Sequence, residues 1–220
     1  MKIEFQHVYY KRKKFSLQDL NFEIQEGFIT ALVGKNGAGK TTLFHLLLDP
    51  NVKYEGRILV NGEEWRESRI KWLKYIGFVS DENEFFMELT AMENAKMLQW
   101  IYEDLFSMEQ YQNNMEQLGL SLHQCLKDMS RGEYIKYQLA FAMAHHSQLY
   151  LLDEATAGMD VVFKKEFFRL LHQLLIDETC TVFMSTHIQQ EIETHMDYVL
   201  EIRDGNIIAG RETDGRNLQI

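Results

Sequence analysis

The stretch that decides the fold of this 220-residue chain reads Gly34-Lys35-Asn36-Gly37-Ala38-Gly39-Lys40-Thr41-Thr42. It fits the phosphate-loop pattern G-x-x-x-x-G-K-[ST], in which glycines let the backbone approach phosphate groups closely. In that pattern the lysine, Lys40, reaches the β- and γ-phosphates, and the hydroxyl of Thr41 binds Mg²⁺. The stretch therefore predicts that residues 34–42 form a site for a nucleoside triphosphate.

The residues on either side of this loop support the same interpretation. The apolar run 28–33 is short and follows Gly27, which predicts a buried strand. Residues 43–48 contain neither glycine nor proline and predict a buried helix. The free N–H groups and the dipole at the start of such a helix favour an anion. A chance Gly-rich turn is the alternative, and it would not need this strand and helix around it.

The overall composition restricts the class of protein. The chain has 23 basic and 33 acidic residues, a formal net charge of −10, which disfavours broad binding of nucleic acid. Cys125 and Cys180 are far apart and form no C-x-x-C motif, which favours a reducing cytosol over a disulfide framework or a zinc site. Apolar runs such as 139–144 are far shorter than the ~20 residues that cross a bilayer.

The N-terminal part predicts antiparallel strands. Residues 1–27 alternate apolar and polar side chains on both sides of the basic run Lys11-Arg12-Lys13-Lys14, which we interpret as a solvated hairpin turn. We expect the ring of Tyr10 to stack on a purine base. The alternative is that Tyr10 is an ordinary aromatic residue of a strand.

The middle of the chain changes from strands to helices. Residues 56–62 predict a strand that ends in an Asn-Gly turn, and residues 75–79 predict a buried strand. From Thr90 to about Glu116 the apolar residues recur near a period of 3.6, and another helix follows Ser130. This pattern predicts a helical block inserted between two α/β portions.

The third part returns to a parallel α/β pattern. Residues 149–152 are apolar and end in Asp153-Glu154, as in a central strand whose carboxyl end reaches a ligand. A helix is predicted near 164–176 and a strand at 181–184, with His187 just beyond it. The Asp204-Gly205 pair between two apolar runs predicts a hairpin.

These strand ends supply the groups that phosphoryl transfer to water requires. Asp153 offers the oxygen ligands that Mg²⁺ prefers, and Glu154 is placed to act as a general base. His187 could donate a hydrogen bond to the γ-phosphate. A lone histidine is usually structural, but its place at the end of a neighbouring strand favours a functional role.

Taken together, these motifs resemble the ATP-binding subunits of ABC transporters from Tyr10 to His187. The Walker A loop, the Walker B strand with Asp153-Glu154 and the histidine switch at His187 follow in the family's order. The D-loop corresponds to Ala157-Gly158-Met159-Asp160. The signature motif, usually L-S-G-G-Q, is matched by Met129-Ser130-Arg131-Gly132-Glu133.

The chain departs from the family's motifs at four positions. Arg131 replaces a glycine, Glu133 and Asp81 each replace a glutamine, and Ala155 replaces a proline. Asp81, at the Q-loop position, keeps an oxygen for Mg²⁺. Because Ser130, Gly132 and both Walker motifs remain, we expect activity to be kept. A Ser-basic-Gly signature with an aspartate Q-loop resembles the ABC-2 type of exporter ATPase, including those of drug, antibiotic and peptide efflux.

The resemblance implies a fold and a mechanism. The fold is a P-loop NTPase: an α/β core with a RecA-like mixed sheet, an N-terminal antiparallel β subdomain and an inserted α-helical subdomain. Residues 1–82 and 147–220 would form the core with the β subdomain, and residues 83–146 the helical subdomain. Two copies, identical or not, would enclose ATP and Mg²⁺. Ser130, Arg131, Gly132 and Glu133 would then act on the ATP of the other copy, close to Asp160 of the D-loop. A separately encoded permease would hold the chain at the cytoplasmic face of the cell membrane.

Two other functions remain as alternatives. A non-transport ABC ATPase acting on nucleic acid or ribosomes would usually carry two such domains or a long coiled coil, and this chain has neither. A nucleotide-gated module that senses a drug or peptide with little turnover is open. Measured ATP hydrolysis with and without the permease separates that module from a transport ATPase.

Overall fold

Two β-sheets and a set of helices form the part of the chain that the computed structural model describes, namely residues 1–12, 15–82, 85–178 and 180–213. In chain order the elements are β1 (Ile3–Arg12), β2 (Phe15–Ile24), β3 (Ile29–Val33), α1 (Lys40–Leu48), β4 (Glu55–Val60), β5 (Glu63–Glu64), α2 (Trp65–Leu73), β6 (Ile76–Val79), α3 (Ala91–Tyr102), α4 (Met108–Gln117), α5 (Arg131–Ala144), β7 (Leu149–Asp153), α6 (Val161–Glu178), β8 (Thr181–Thr186), α7 (Gln189–His195), β9 (Tyr198–Arg203) and β10 (Asn206–Glu212). Within these residues every helix is too short or too polar to cross a bilayer.

The smaller sheet is antiparallel and has the strand order β2-β1-β4-β5. Ile3 lies opposite Ile24 and Phe5 opposite Phe22, and the two phenylalanine rings stack with centroids 4.4 Å apart. The predicted antiparallel N-terminal strands are therefore confirmed. The predicted basic turn lies partly outside the described residues, because Lys13 and Lys14 fall there, while Lys11 and Arg12 end β1.

The larger sheet has the order β10-β9-β3-β8-β7-β6, and only β10 runs antiparallel to its neighbour. The strand β3, which leads into the phosphate loop, lies between β8 and β9. Since the carboxyl ends of parallel strands share one edge of a sheet, the phosphate loop, Asp153 and the residues after β8 meet there. This is the mixed sheet that the P-loop NTPase fold predicts.

Side-chain alternation along β7 and β8 determines what each face of the sheet presents. Leu149, Leu151 and Phe183 pack with α1 in one hydrophobic cluster, and Tyr150 and Leu152 pack with α6 in another. Successive strand residues point to opposite faces. Asp153 and Ser185 therefore continue the face of Leu151 and Phe183, towards α1.

A third hydrophobic cluster belongs to the helical block. All of its buried members lie between Ala91 and Ala144, within the predicted helical subdomain, whose boundaries stay a prediction. The predicted helical stretch from Thr90 to Glu116 is two helices, α3 and α4. Glu103 adopts a left-handed φ of 53° and starts a 3₁₀ turn, and the Ser107 hydroxyl then accepts a hydrogen bond from the Gln110 N–H to cap α4.

The helix predicted near 164–176 begins earlier than expected. Its first residue is Val161, because the Asp160 carboxylate accepts hydrogen bonds from the N–H groups of Val162 and Phe163, at 2.9 and 3.0 Å. Asp160 thus has the hydrogen bonds of an N-cap residue. The sequence predicted the helix but not its capped start.

Candidate nucleotide site

The phosphate loop leaves β3 at Val33 and enters α1 at Lys40. Two of its glycines are required by close neighbours. A Cβ on Gly34 would lie 2.5 Å from the carbonyl oxygen of Ile202, and a Cβ on Gly39, whose φ is 115°, would lie 2.6 Å from the ring of Phe15. Such contacts are too short for any side chain, so these positions need glycine.

Lys40 is buried and folds back over its own loop. Its Nζ donates a hydrogen bond to the carbonyl oxygen of Gly34 at 2.9 Å and lies 3.1 Å from Oε1 of Glu154. The side chain of Lys40 is 5% exposed and that of Glu154 is 30% exposed. Lys40, which the sequence predicts at the phosphates, is therefore ion-paired with Glu154, the predicted general base.

Asp153 is held by hydroxyl groups from two other elements. Oγ1 of Thr41 donates to its Oδ2, and Oγ of Ser185 donates to its Oδ1, both at 2.5 Å. Two hydroxyl oxygens thus lie beside one buried carboxylate, and oxygen ligands of this kind are those that Mg²⁺ prefers. The residues present therefore fit a magnesium ion, as predicted for Thr41 and Asp153.

The backbone changes direction at Glu154, directly after the end of β7. Its backbone is left-handed, with a φ of 47°, and its N–H donates to Oγ of Ser185 at 2.9 Å. A positive φ is unfavourable for a residue with a side chain and is concentrated at functional sites. This turn brings the carboxylate of Glu154 to the phosphate loop, where it meets Lys40.

A cavity of about 470 Å³ opens along the phosphate loop. Its volume is in the range of small-molecule sites. Among the described residues its lining is Phe15, Asn36, Gly37, Gly39, Lys40, Thr41, Thr42, Asp81, Glu82, Asp153 and Glu154. The structure thus brings Lys40, Thr41, Asp81, Asp153 and Glu154 to one cavity, as the sequence predicted.

The aromatic residue at this cavity is Phe15 and not Tyr10. Tyr10 lies on β1 opposite Leu17 and packs against the core. Phe15, the first residue of β2, reaches the loop because the hairpin brings the start of β2 over Gly39. Tyr10 therefore lies outside the described lining of this cavity, and its stacking on a base stays a prediction.

His187 lies on the other side of the phosphate loop. It is exposed, directly after β8, and lines a second cavity of about 500 Å³ together with residues 33–38 and 201–204. Gly34, Lys35 and Ala38 line this second cavity, while Asn36 and Gly37 line both. His187 is next to the loop, as predicted, and its role at the γ-phosphate stays a prediction.

The signature residues start α5, outside the described lining of the first cavity. The Ser130 hydroxyl accepts from the Glu133 N–H at 3.3 Å, and the Glu133 carboxylate accepts from the Ser130 N–H at 2.8 Å. This reciprocal capping explains why a glutamate is accommodated here. The backbone hydrogen bond from Ser130 also lowers the pKa of Glu133.

Asp81 is at the cavity, but its carboxylate has a partner in the same chain. Oδ2 of Asp81 lies 3.2 Å from Nη2 of Arg131, the first residue of α5. Asp81 and Arg131 are two of the four departures from the family's motifs. The structure therefore places these departures in contact with each other.

Three residues of the site region were missed in the sequence. Ser185 joins Asp153 to the backbone of Glu154, and Gln138 exchanges two hydrogen bonds with the backbone of Ser80, at 2.6 and 3.0 Å. The buried Glu191 accepts hydrogen bonds from two threonines and pairs with a lysine, Lys164, at 3.0 Å. A polar residue in an otherwise buried strand or helix was the available signal for Ser185 and Gln138; Glu191 lies in the mostly exposed helix α7 and has no such signal.

Comparison with known proteins also points to the ABC transporter family. A profile of the ABC transporter family matches residues 17–157. The bacitracin transport ATP-binding protein BcrA of Bacillus licheniformis is 33% identical over 196 residues, which cover 88% of this chain and 63% of that protein. The chain thus spans less than two thirds of that relative's length. The lantibiotic transport ATP-binding protein SrtF of Streptococcus pyogenes is 30% identical, with 92% of this chain and 87% of that protein covered.

A relative named for another transport process has similar identity. The zinc uptake system ATP-binding protein ZurA of Listeria innocua is 29% identical over 92% of this chain and 82% of that protein. Among solved structures, the dimeric ATP-binding cassette MJ0796 bound to ADP and phosphate has a TM-score of 0.83. The superposition covers 97% of this chain and 99% of the MJ0796 chain. Because the sequence identity is 22%, this similarity is evidence for the fold alone. The chain belongs to the ABC transporter family, and its fold is that of the family's ATP-binding cassettes.

Proposed function

We propose that this chain is the ATP-hydrolysing subunit of an ABC transporter. The observation that carries the proposal is the convergence of Lys40, Thr41, Asp153 and Glu154 on one cavity at the carboxyl edge of the sheet. A cation, a hydroxyl and two carboxylates in this arrangement are the groups needed to bind a nucleoside triphosphate and to activate water. The chain's membership of the family supports the same activity.

Residues 34–42 would bind the phosphates of ATP, and Phe15 would offer its ring to the base. Thr41 and Asp153 would hold Mg²⁺, with Asp81 as a further oxygen donor at the cavity. When bound, the metal neutralises the charge of the β- and γ-phosphates. Lys40 must leave Glu154 to reach the phosphates, so ATP binding replaces one ion pair by another.

That exchange also prepares the general base. Once Lys40 contacts the phosphates, the Glu154 carboxylate is free to accept a proton from the attacking water. As the water oxygen bonds to the γ-phosphorus, the bond from that phosphorus to the β–γ bridging oxygen breaks, and ADP and phosphate leave. His187 would donate a hydrogen bond to the γ-phosphate from the opposite side of the loop.

A second copy would complete the site. Ser130, Arg131, Gly132 and Glu133 stand outside the described lining of their own cavity, which fits a role at the ATP of the partner. Val161 and Val162 are 71% and 77% exposed directly beside Asp160, and this apolar surface at the D-loop suits contact with another copy. The partner would be an identical or a related cassette.

An exposed apolar face on α3 suits a permease. Met97, Trp100 and Ile101 are 55%, 79% and 58% exposed on the helical block, whose proposed limits are 83–146. Burial of such residues against another protein is favourable. The permease would hold the chain at the cytoplasmic face of the membrane.

Export of drugs, antibiotics or peptides is the direction we favour, because two relatives are named for bacitracin and lantibiotic transport. The relative named for zinc uptake makes import the second candidate. Cells that lose the gene should become more sensitive to bacitracin or a lantibiotic. Unchanged sensitivity together with a raised zinc requirement would select import instead.

The variant Lys40→Ala tests the nucleotide site. Titration with ATP and Mg²⁺ should show no detectable binding, and phosphate release should fall to background. Lys53→Ala, which removes an exposed cation after α1, is the matched control and should bind ATP as the unaltered chain does. Binding of unaltered strength by Lys40→Ala would refute the phosphate-loop assignment.

A further inference from the structure

Two residues that depart from the family's motifs form an ion pair across the nucleotide site. Asp81 lines the cavity, and its Oδ2 lies 3.2 Å from Nη2 of Arg131 at the start of α5. The other terminal nitrogen of Arg131, Nη1, would be 3.2 Å from a Cβ added to Gly158. The guanidinium thus lies between the cavity wall and the turn after β7.

Other contacts already attach α5 to this wall. The side chain of Gln138, itself 1% exposed, donates to the carbonyl oxygen of Ser80 at 2.6 Å and accepts from its N–H at 3.0 Å. The Tyr134 hydroxyl donates to the carbonyl oxygen of Glu82 at 3.4 Å. By contrast, the side chains of Asp81 and Arg131 are 57% and 45% exposed. The buried Gln138 contacts therefore hold α5 to this wall, whereas the exposed Asp81–Arg131 ion pair can break without separating the two segments.

We propose that Arg131 changes its partner when two copies close on ATP, an inference that rests on the proposed function. In a single copy, Asp81 of the same chain holds the guanidinium. In the closed pair, the γ-phosphate of the ATP bound by the other copy takes it. A phosphate carries more negative charge than one carboxylate and accepts paired hydrogen bonds from a guanidinium, so the exchange is favourable.

The neighbouring Glu133 explains why a cation is needed at this position. Its carboxylate lies 2.8 Å from the N–H of Ser130, at the same helix start that a phosphate would approach. This negative charge opposes the phosphate, and Arg131 offsets it. The Asp81–Arg131 pair then acts as a brake on dimerisation, because each copy must break it before the ATP of the other copy is contacted.

The effect of the Asp81–Arg131 ion pair on the dimerisation constant can be estimated. A half-exposed ion pair changes an equilibrium constant by up to about five-fold. Because a dimer contains two such pairs, Asp81→Asn should tighten ATP-driven dimerisation by about 2- to 25-fold. Arg131→Gln removes the brake together with the contact to phosphate. A hydrogen-bonded charge is worth more than an exposed pair, so this variant should weaken dimerisation by at least about ten-fold.

The experiment measures dimerisation by sedimentation with ATP and Mg²⁺ in a Glu154→Gln background, which should slow hydrolysis by about 10²- to 10⁴-fold. Asp81→Asn, Arg131→Gln and the combination of both are compared with Glu88→Gln. The control removes the exposed Lys127–Glu88 pair elsewhere on the helical block and should change nothing. Asparagine keeps a side-chain oxygen for Mg²⁺, so Asp81→Asn should have no further effect once Arg131 is absent. Thermal unfolding should confirm that each variant is folded.

The results separate the inference from the proposed function. If the Glu154→Gln parent stays monomeric with ATP, the proposed dimer is refuted, and the partner exchange is refuted as well because it requires that dimer. If the parent dimerises and Asp81→Asn leaves dimerisation unchanged or weakens it, the exchange alone is refuted. An equal effect of Asp81→Asn with and without Arg131 would also refute the exchange, because Asp81 would then act through another group.

Discussion

Replacing Glu154 by Gln tests both the chemistry and the ion pair of the site. The change keeps the size of the side chain and its hydrogen bonding but removes the negative charge. Loss of a general base lowers turnover by about 10²- to 10⁴-fold. The same change also removes the partner of Lys40, whose Nζ is 3.1 Å from Oε1 of Glu154.

The second effect should appear as tighter binding of ATP. Exposed ion pairs contribute about 0.2–1 kcal/mol, and breaking a fully buried one costs about 3–5 kcal/mol. Lys40 is 5% exposed and Glu154 is 30% exposed, so this pair lies between the two classes. An intermediate value of about 1–2 kcal/mol corresponds to about 5- to 30-fold. ATP should bind the variant more tightly by that factor, because it no longer has to displace Glu154.

Titration with ATP and Mg²⁺ at a protein concentration too low for dimerisation measures this factor. Glu82→Gln is the matched control, since Glu82 is another acid of the same cavity, whereas the ion pair of Lys40 is with Glu154. It should change affinity by less than about two-fold, in line with the small effect of an exposed charge. Size-exclusion chromatography should show a dimer of Glu154→Gln with ATP and a monomer with ADP.

Two results would contradict this reasoning. If Glu154→Gln bound ATP no more tightly than Glu82→Gln, the Lys40–Glu154 pair would not compete with the phosphates. If Glu154→Gln stayed monomeric with ATP and hydrolysed it at the unaltered rate, both the general base and the ATP-enclosing dimer would be wrong.

Three further predictions follow from the site and its surroundings. Ser185→Ala removes a hydrogen bond to Asp153 and should lower phosphate release by about 10- to 100-fold, with Ser185→Thr retaining most activity; full activity of the alanine variant would contradict the role. Ser130→Ala should keep monomer ATP binding and reduce hydrolysis, and mixing it with Lys40→Ala should restore one composite site; loss of monomer binding would exclude action in trans. Burial lowers the pKa of His145 from 6.5 to about 4, so the unfolded chain binds more protons and stability should fall as pH decreases from about 6.5 to 4. His145→Gln should flatten urea-unfolding midpoints over that pH window, and an unchanged slope would contradict the assignment.

The position of the phosphate loop and the two acids could be predicted because local sequence determines them. A buried strand followed by a Gly-rich turn places residues 34–42 at a sheet edge, and a second apolar strand brings Asp153 to the same edge. Side-chain alternation along β7 then directs Asp153 towards α1. No knowledge of distant contacts is needed for this inference.

The aromatic residue could not be predicted in the same way. Tyr10 and Phe15 lie on either side of the hairpin turn, and both have the composition of a strand. Which ring reaches Gly39 depends on the hairpin's register and on two irregularities between Phe5 and Tyr10. Those features arise from pairing with β2 and β4 and leave no local signal in the sequence.

Contacts between distant segments were also beyond the sequence pattern. Asp81 and Arg131 each looked like a separate departure from a motif, yet they neutralise each other across the junction between the wall of the cavity and α5. Similarly, Ser185 is one small polar residue at the end of an apolar strand. Its role became visible only where the register of β7 and β8 set it opposite Asp153.

Three acidic side chains of the site already have partners within the chain, and these partners affect how ATP can bind. Glu154 pairs with Lys40, two hydroxyl groups hold Asp153, and Asp81 pairs with Arg131. Under the proposed function, ATP would bind by exchanging partners, and the free energy of its contacts would be reduced by that of the pairs it breaks. The order of exchange would then matter: Glu154 would accept a proton only after Lys40 has moved to the phosphates, and Arg131 would reach a phosphate only after it leaves Asp81. Water activation would thus be coupled to bound ATP, and closure of the dimer to ATP in the partner.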